Sequence, residues 1–165
     1  MGLDMYLKAK KYVSGYEHNG SEEQEKYKSI VEAVGLEGIA SDHSPFVEVE
    51  VTIAYWRKAN CIHHWFVHNV QNGEDNCGTY YVTKEQLQEL LDLCHKTIKV
   101  WRSNSNARVE IMNQLLPTVG GFFFGATDYG DGYCDDLKST IAQVSKIIAH
   151  QGTEETLSVY YHSSW

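Results

Sequence analysis

The chain has 165 residues, of which 42% are hydrophobic and 22% are charged, and its formal net charge is −8. This length favours one globular domain over residues 1–165. The acidic balance disfavours generic binding to nucleic acids, because a negative surface repels the phosphate backbone. No apolar run approaches the length of a membrane-spanning helix, so we expect no membrane insertion.

The cysteine pattern favours a reducing compartment. The four cysteines are Cys61, Cys77, Cys94 and Cys134, and no two of them form a Cys-x-x-Cys pair. The first residues carry neither a basic region nor a long apolar run, so they do not fit a secretion signal. We therefore expect four free thiols in a cytoplasmic protein. An oligomer is compatible with the sequence.

Five segments predict β-strands, four of them by alternation of apolar and polar residues or by β-favouring composition. These four are residues 2–13, 46–55, 79–82 and 156–165. The fifth, residues 118–125, places three phenylalanines after two glycines and predicts a short buried strand.

Apolar residues at helical spacing predict helices between these strands. They cover, approximately, residues 21–34, 57–70, 84–101 and 133–150, with a short further helix over 109–116. Ser21 with Gln24 and Thr83 with Gln86 have the spacing of capping boxes and mark two helix starts. Gly152 is expected to end the last helix.

The order of the elements predicts the fold class. Strands and helices alternate along the whole chain. Because several strands alternate apolar and polar residues, one face of the sheet should be exposed or partly covered. We therefore predict a single α+β domain with a mixed or mainly antiparallel sheet of about five strands and helices packed on one side.

The densest mixture of core and chemical residues lies at residues 55–66, where a predicted strand runs directly into a helix. Arg57 and Lys58 follow the strand end. The free backbone amides of a helix N-terminus, together with cations, bind anions well. Solvated cations beside core aromatics would explain the same residues, and the sequence leaves both interpretations open.

Two patterns allow a metal but have simpler explanations. Cys61, His64 and His68 lie roughly on one helix stripe, and His64 with His68 has a zinc-chelating spacing, with Cys77 as a conceivable fourth ligand. Exposed histidines on a polar helix face are the commoner explanation of this pattern. We therefore predict no metal and no other cofactor.

The acidic loop at residues 128–136 contains Asp128, Asp131, Asp135 and Asp136. These carboxylates are compatible with magnesium beside a substrate phosphate. Helix N-capping by Asp131 or Asp135 accounts for them more simply. No nucleophile signature or phosphate-binding loop occurs in the chain, so no catalytic residue is predicted.

Several phrases of the sequence resemble a family of small proteins of tailed phages and prophages. They are GLDMYL from residue 2, YWRKAN from residue 55 with Ile62-His63 and Trp65-Phe66, Asp75 with Cys77-Gly78, and LLPT from residue 115 with GFFFG from residue 121 and TDY from residue 127. The resemblance spans nearly the whole chain and implies a phage-type protein of the host cytoplasm, without implying an activity. Cys61, His64 and His68 lie outside its motifs.

These features predict a non-enzymatic accessory protein that binds a phosphorylated, nucleotide-like small molecule and sequesters a host defence signal. The candidate ligand-binding residues are Trp56, Arg57, Lys58, Asn60, His63, Thr127, Asp128 and Tyr129. Two alternatives stay open. One is an acidic protein that inhibits a host protein, and the other is a metal-assisted phosphohydrolase that uses His63, Asp128 and Asp131.

Overall fold

The structure, a computed structural model, describes residues 2–151 and 157–165. In chain order these residues form β1 (Asp4–Ser14), a 3-10 turn (Glu17–Asn19), α1 (Ser21–Ala33), β2 (Phe46–Arg57), α2 (Asn60–Asn69), β3 (Thr79–Val82), α3 (Lys84–Trp101), α4 (Arg108–Leu115), α5 (Asp131–Gln151) and β4 (Ser158–Ser164). The α+β class is confirmed. The predicted start of the last strand at Thr156, and Gly152 as the end of the last helix, lie outside the described residues.

The sheet that the described residues form has four antiparallel strands in the order β2-β1-β4-β3. Thr79 lies opposite His162 and Val82 opposite Val159 in the β3–β4 pair. The predicted number of about five strands is therefore slightly too high.

The missing strand is the one predicted at residues 118–125, where the chain forms a turn instead. Phe123 has a φ of 69°, which lies outside the strand region. The Phe124 N–H donates to the Gly121 carbonyl at 3.2 Å and closes the turn. Phe124 is the buried phenylalanine of the three, whereas Phe122 and Phe123 are exposed.

The two predicted capping boxes have different outcomes. At α3, the Gln86 N–H donates to Thr83 Oγ1 at 3.1 Å and the Thr83 N–H donates to Gln86 Oε1 at 2.9 Å, as predicted. At α1 the prediction is wrong: Ser21 is already the first helical residue, and Gly20 precedes it without a side-chain cap. The Gln24 side chain donates instead to the Gly15 carbonyl at 3.3 Å.

Strand β2 continues through Arg57, so α2 begins at Asn60, three residues later than predicted. The Lys58 N–H donates to the Leu3 carbonyl at 2.8 Å, which extends the pairing of β2 with the N-terminal segment. Lys58 itself has a φ of 61° and turns the chain into the helix. Backbone pairing, which the hydrophobic pattern does not report, decides this boundary.

The chain divides into two compact units, Met1–Ala9 with Thr52–Trp165 and Lys10–Val51. In the smaller unit, Tyr12 stacks on Phe46 with ring centroids 5.2 Å apart, and Lys10 pairs with Glu48 at 2.8 Å. Whether the chain behaves as one domain stays a prediction.

The larger unit contains the main hydrophobic core. Strand β1 alternates as predicted, with Leu3, Met5 and Leu7 fully buried. Helix α2 buries its predicted apolar side and also its first turn, so it is surrounded by protein on most sides. The Phe66 ring stacks on Tyr161 of β4, with centroids 4.0 Å apart and planes 8° apart. Among residues 2–151 and 157–165, no helix combines the length and apolarity needed to cross a membrane.

Candidate functional site

The corner between β2 and α2 is held against the loop that follows α4. Lys58 turns the chain in a left-handed conformation, and its carbonyl accepts from the Asn60 N–H at 2.9 Å. Gly125 packs on this corner with a φ of 97°. A Cβ at Gly125 would lie 3.0 Å from the Lys58 carbonyl oxygen, so only glycine allows this close approach.

Asn60 connects the corner to the same loop through its buried side chain. Its Nδ2 donates to the Phe124 carbonyl at 3.1 Å and to the Ala126 carbonyl at 2.8 Å. Its Oδ1 accepts from the Val119 N–H at 3.2 Å. Both amide protons of Asn60 are therefore committed to the protein, which makes this side chain a clamp that positions the loop.

The end of β2 is also attached to α5. The Gln143 side chain accepts from the Tyr55 N–H at 2.9 Å and donates to the Tyr55 carbonyl at 3.1 Å, like a neighbouring strand. Trp56 Nε1 donates to Thr140 Oγ1 at 2.9 Å. The Thr140 hydroxyl in turn donates to the Asp136 carbonyl at 2.7 Å. These contacts bring the cations after Trp56 beside the first turns of α5.

A cavity of about 310 Å³ lies where the corner, the loop and α5 meet. Its lining residues are Arg57, Lys58, Asn60, Cys61, Thr118, Gly125, Ala126, Asp128, Gly132, Tyr133 and Asp136. Four of the predicted ligand-binding residues, Arg57, Lys58, Asn60 and Asp128, are brought together here. The cavity combines two cations with two carboxylates, so its wall carries both signs of charge.

The cations are accessible from solvent. The Arg57 side chain is 58% exposed, and its Nη1 lies 4.0 Å from Asp4 Oδ1. Asp4 also accepts a hydrogen bond from the Tyr55 hydroxyl, which raises the pKa of that tyrosine. An exposed ion pair at this distance is weak, so Arg57 can exchange it for an incoming anion at little cost.

The ionisable groups in the cavity wall are shifted mainly by burial. Burial, and then the charge of Asp135, raise the pKa of the Asp136 carboxyl to about 6. Burial raises the pKa of the Cys61 thiol and the Tyr133 hydroxyl. Cys61 and Tyr133 are therefore neutral at pH 7, whereas Asp136 exchanges its proton near neutrality.

The first turn of α2 uses backbone amides that were expected to be free. The Asn60 N–H donates to the Lys58 carbonyl, and the N–H groups of Ile62 and His63 donate to the Ala59 carbonyl at 3.1 and 3.0 Å. The His63 bond is the ordinary first bond of the helix, so the expectation is wrong for Asn60 and Ile62, whose N–H groups find carbonyl acceptors in the tight corner. An anion at this corner would rely on the two cationic side chains.

Three predicted residues lie around the cavity without lining it. Trp56 is buried in the core. The Tyr129 hydroxyl donates to Asn113 Oδ1 at 2.7 Å, and the Tyr129 ring contacts Tyr133 edge to face at 4.8 Å. The Thr127 carbonyl accepts from the Thr118 hydroxyl at 2.8 Å. These contacts support the loop that forms one wall of the cavity.

His63 lies in a separate polar cluster, in which His63 and Tyr161 are buried and Asp75 and Trp165 are exposed. Its Nε2 is 3.0 Å from Asp75 Oδ2 and its Nδ1 is 2.7 Å from the Tyr161 hydroxyl. Trp165 Nε1 donates to the other carboxylate oxygen of Asp75 at 3.1 Å. With Asp75 ionised, the proton of neutral His63 sits on Nε2, and Nδ1 accepts from the Tyr161 hydroxyl.

The residues of the two possible metal sites do not form a metal-binding cluster in the part of the chain that the structure describes. Within the described ranges, no group of three or more His, Cys, Asp or Glu side chains is placed to hold a metal ion. The His64 and His68 rings pack together at 4.1 Å, and His68 is exposed as predicted. Asp131 begins α5, and Asp135 pairs with Lys138 at 2.8 Å rather than capping the helix.

The predicted ligand-binding residues did not include Asp136, which was considered only among the four carboxylates of the acidic loop, although the pattern held a signal. Asp136 lies three residues after Tyr133 and four before Thr140, both on the buried stripe of α5. A carboxylate beside such a stripe is desolvated, which is the cause of its raised pKa. Tyr161 and Trp165 carried no comparable signal, because Tyr161 is 98 residues from its partner His63.

No protein-family model, no curated protein and no solved structure matches this chain. The resemblance to phage proteins therefore stays a prediction.

Proposed function

We propose that this chain is a phage-type accessory protein that binds a phosphorylated, nucleotide-like small molecule in the cavity at the β2–α2 corner. The observation that carries the proposal is the placement of Arg57, Lys58, Asp128 and Asp136 in one cavity wall. Arg57 offers a planar fork that suits two phosphate oxygens, and Lys58 adds a second positive charge.

The carboxylates give the ligand an orientation. Carboxylate oxygens accept hydrogen bonds from sugar hydroxyls, so Asp128 and Asp136 suit the sugar end of a ligand whose phosphate lies at the cations. The Thr118 hydroxyl donates to the Thr127 carbonyl and retains acceptor capacity towards the same cavity. The ligand class that fits this polarity carries a phosphate at one end and hydroxyl groups at the other.

Binding of an unchanged ligand explains the residues that line the cavity better than a catalysed reaction does. The Cys61 thiol is held neutral by burial, which removes it as a nucleophile. The Tyr133 hydroxyl donates to the Leu116 carbonyl at 2.8 Å and is also buried. We therefore infer that the protein sequesters its ligand unchanged, in the host cytoplasm, and that the ligand is a signal of host defence.

One observation favours a phosphohydrolase as the second candidate. A carboxyl group with a pKa near 6, such as Asp136, suits a general acid that protonates a leaving group. The earlier candidate set for this reaction is not assembled in the cavity wall, since His63 contacts Asp75 and Tyr161 instead. Asp128 would then be the other carboxylate that lines the same cavity.

A nucleotide and sugar-phosphate panel with thermal unfolding tests the proposal. We expect at least one ligand to raise Tm, and Arg57→Gln with Lys58→Asn to weaken its binding at least about tenfold, because each charge-assisted bond contributes roughly 1.5–3 kcal/mol. Asparagine tolerates the left-handed backbone of position 58. The matched control is Lys96→Gln with Lys99→Gln, which removes the same charge from exposed positions of α3.

Mass spectrometry of the recovered ligand separates the two candidates. Intact ligand after incubation and denaturation supports sequestration. A dephosphorylated product whose formation stops on Asp136→Asn supports the phosphohydrolase. No Tm shift with any ligand, or equal losses in the control pair, contradicts a phosphate site at this corner.

A further inference from the structure

Two phenylalanines lie exposed beside the cavity, in the turn where the sequence predicts a buried strand. The side chain of Phe122 is 84% exposed and that of Phe123 is 47% exposed. Their ring centroids are 4.3 Å apart with planes inclined at 65°. Adjacent exposed aromatic rings of this size indicate a binding surface, because they would otherwise be buried in the core.

The turn holds these rings outward in a defined conformation. Phe123 has a φ of 69°, which is unfavourable for a bulky residue and persists only when neighbouring contacts impose it. Those contacts are present on both sides. Phe124 is buried and its carbonyl accepts from Asn60, while the Phe123 carbonyl accepts from the Leu3 N–H at 3.4 Å. The rings are therefore presented by a fixed turn.

The same turn lies against the proposed phosphate site. A methyl group in place of the Gly2 hydrogen would lie 3.3 Å from Lys58 Cε and 3.6 Å from Arg57 Nη2. That same point is 3.9 Å from the Phe123 carbonyl oxygen. Arg57, Lys58 and the turn that carries the two phenylalanines thus all lie next to the backbone at Gly2.

The two aromatic residues among the predicted ligand-binding residues, Trp56 and Tyr129, are engaged elsewhere. Trp56 is buried, with its N–H bonded to Thr140, and Tyr129 is bonded to Asn113 and packed on Tyr133. Tyr133, the aromatic residue in the cavity wall, is buried and bonded to a backbone carbonyl. Phe122 and Phe123 are exposed in this turn, and of the other aromatic residues at the corner Tyr55 is also exposed, at 43%, with its hydroxyl bonded to Asp4.

We propose that Phe122 and Phe123 stack on the planar base of a nucleotide whose phosphate binds at Arg57 and Lys58. This inference rests on the proposed function and narrows its ligand class from phosphorylated small molecules to those with an aromatic base. A phenyl ring can stack on any base, so the turn would select ligands that carry a base without distinguishing which base it is. The base should raise affinity about 5- to 150-fold over the same ligand without it.

Calorimetric titration with a purine nucleoside 5′-monophosphate and with ribose 5-phosphate tests this assignment. The variant is Phe122→Ser with Phe123→Asn, since asparagine accepts the backbone conformation at position 123. The control is Val109→Ser, which removes an exposed apolar side chain from α4. We expect the variant to lose at least fivefold in affinity for the nucleotide and to bind ribose 5-phosphate as the parent chain does. Val109→Ser should change neither affinity.

The outcomes distinguish this inference from the function it rests on. If ribose 5-phosphate binds but the nucleotide binds no more tightly, the stacking assignment fails and the phosphate site stands. If neither ligand binds the parent chain, both fail. A parent chain whose mass in sedimentation rises with concentration, while the phenylalanine variant stays monomeric, would make the turn a protein contact and would overturn the stacking role. Thermal unfolding of each variant confirms that it is folded.

Discussion

Two polar groups begin in the first turn of α2, and they differ in how far protein partners satisfy them. The His63 cluster is closed, because both ring nitrogens and both Asp75 oxygens have protein partners. The cavity beside Asn60 is open, and two cations and two carboxylates line it. A polar group that is fully satisfied by protein stabilises the fold, whereas charged groups left facing a cavity are available to a ligand.

Because protein partners satisfy the His63 cluster, we expect His63 to stabilise the fold and its replacement to have the largest effect on the free energy of unfolding. His63→Leu removes the histidine partner of the buried Tyr161 hydroxyl and of Asp75. We expect the free energy of unfolding in urea to fall by about 2–4 kcal/mol, because two hydrogen bonds of a buried side chain are lost and the Tyr161 hydroxyl keeps fewer partners. His64→Leu, one position along and half-buried, is the control. If His63→Leu lowered the free energy of unfolding by less than about 0.5 kcal/mol, the His63 cluster would not stabilise the fold and would not differ from the cavity in this respect.

The cavity should show the opposite behaviour, since its charges cost stability. The raised pKa of Asp136, about 6, means that the folded state binds the proton more tightly than the unfolded state, whose carboxyl has a pKa near 3.8. Stability from this group is therefore present at low pH and is lost as pH rises from about 4 through 6. Asp136→Asn removes that loss.

We expect Asp136→Asn to raise the free energy of unfolding by about 1–2 kcal/mol at pH 7.5. The gain should shrink by more than half at pH 4.5, where the native carboxyl is largely protonated. Urea titrations at both pH values measure it, with Asp92→Asn on α3 as the exposed control. A gain that is the same at both pH values would show that desolvation of the carboxylate is not its cause.

The smallest expected effect tests whether the closed cluster acts as one unit. Trp165→Phe keeps a ring against Phe124 but removes the N–H that donates to Asp75. We expect a loss of about 0.5–1 kcal/mol, typical of one hydrogen bond at a partly exposed site. In the His63→Leu background the loss should change by at least about 0.5 kcal/mol, because the two side chains share the same carboxylate. Strict additivity would mean that they stabilise the fold independently.

Much of the fold was predictable because local patterns determine it. The alternation of Leu3, Met5 and Leu7 marks β1, and the pairing of Thr83 with Gln86 marks the start of α3. Both depend on neighbours a few residues away, which sequence periodicity records. The turn at Phe122–Phe124 was not predictable from the same evidence, since three successive apolar residues also fit a buried strand.

The candidate site was predictable only in part, for a similar reason. Arg57, Lys58 and Asn60 were recognisable because cationic and amide residues follow a strand end. Their meeting with Asp128 and Asp136 depends on Asn60, whose side chain holds the loop after α4 at carbonyls 64 and 66 residues away. Hydrogen bonds over such separations leave no local pattern.

The sequence by itself determined most of the strands and helices, which of their faces are apolar, and that two cations lie at the end of β2. Those properties arise from the spacing of residue types along the chain. The tertiary structure alone decided that His63 is buried in the core, that Asp136 lines one cavity with Arg57 and Lys58, and that Phe122 and Phe123 are exposed. Each of these depends on desolvation and on partners far away in the chain, and both are set only when the elements pack together.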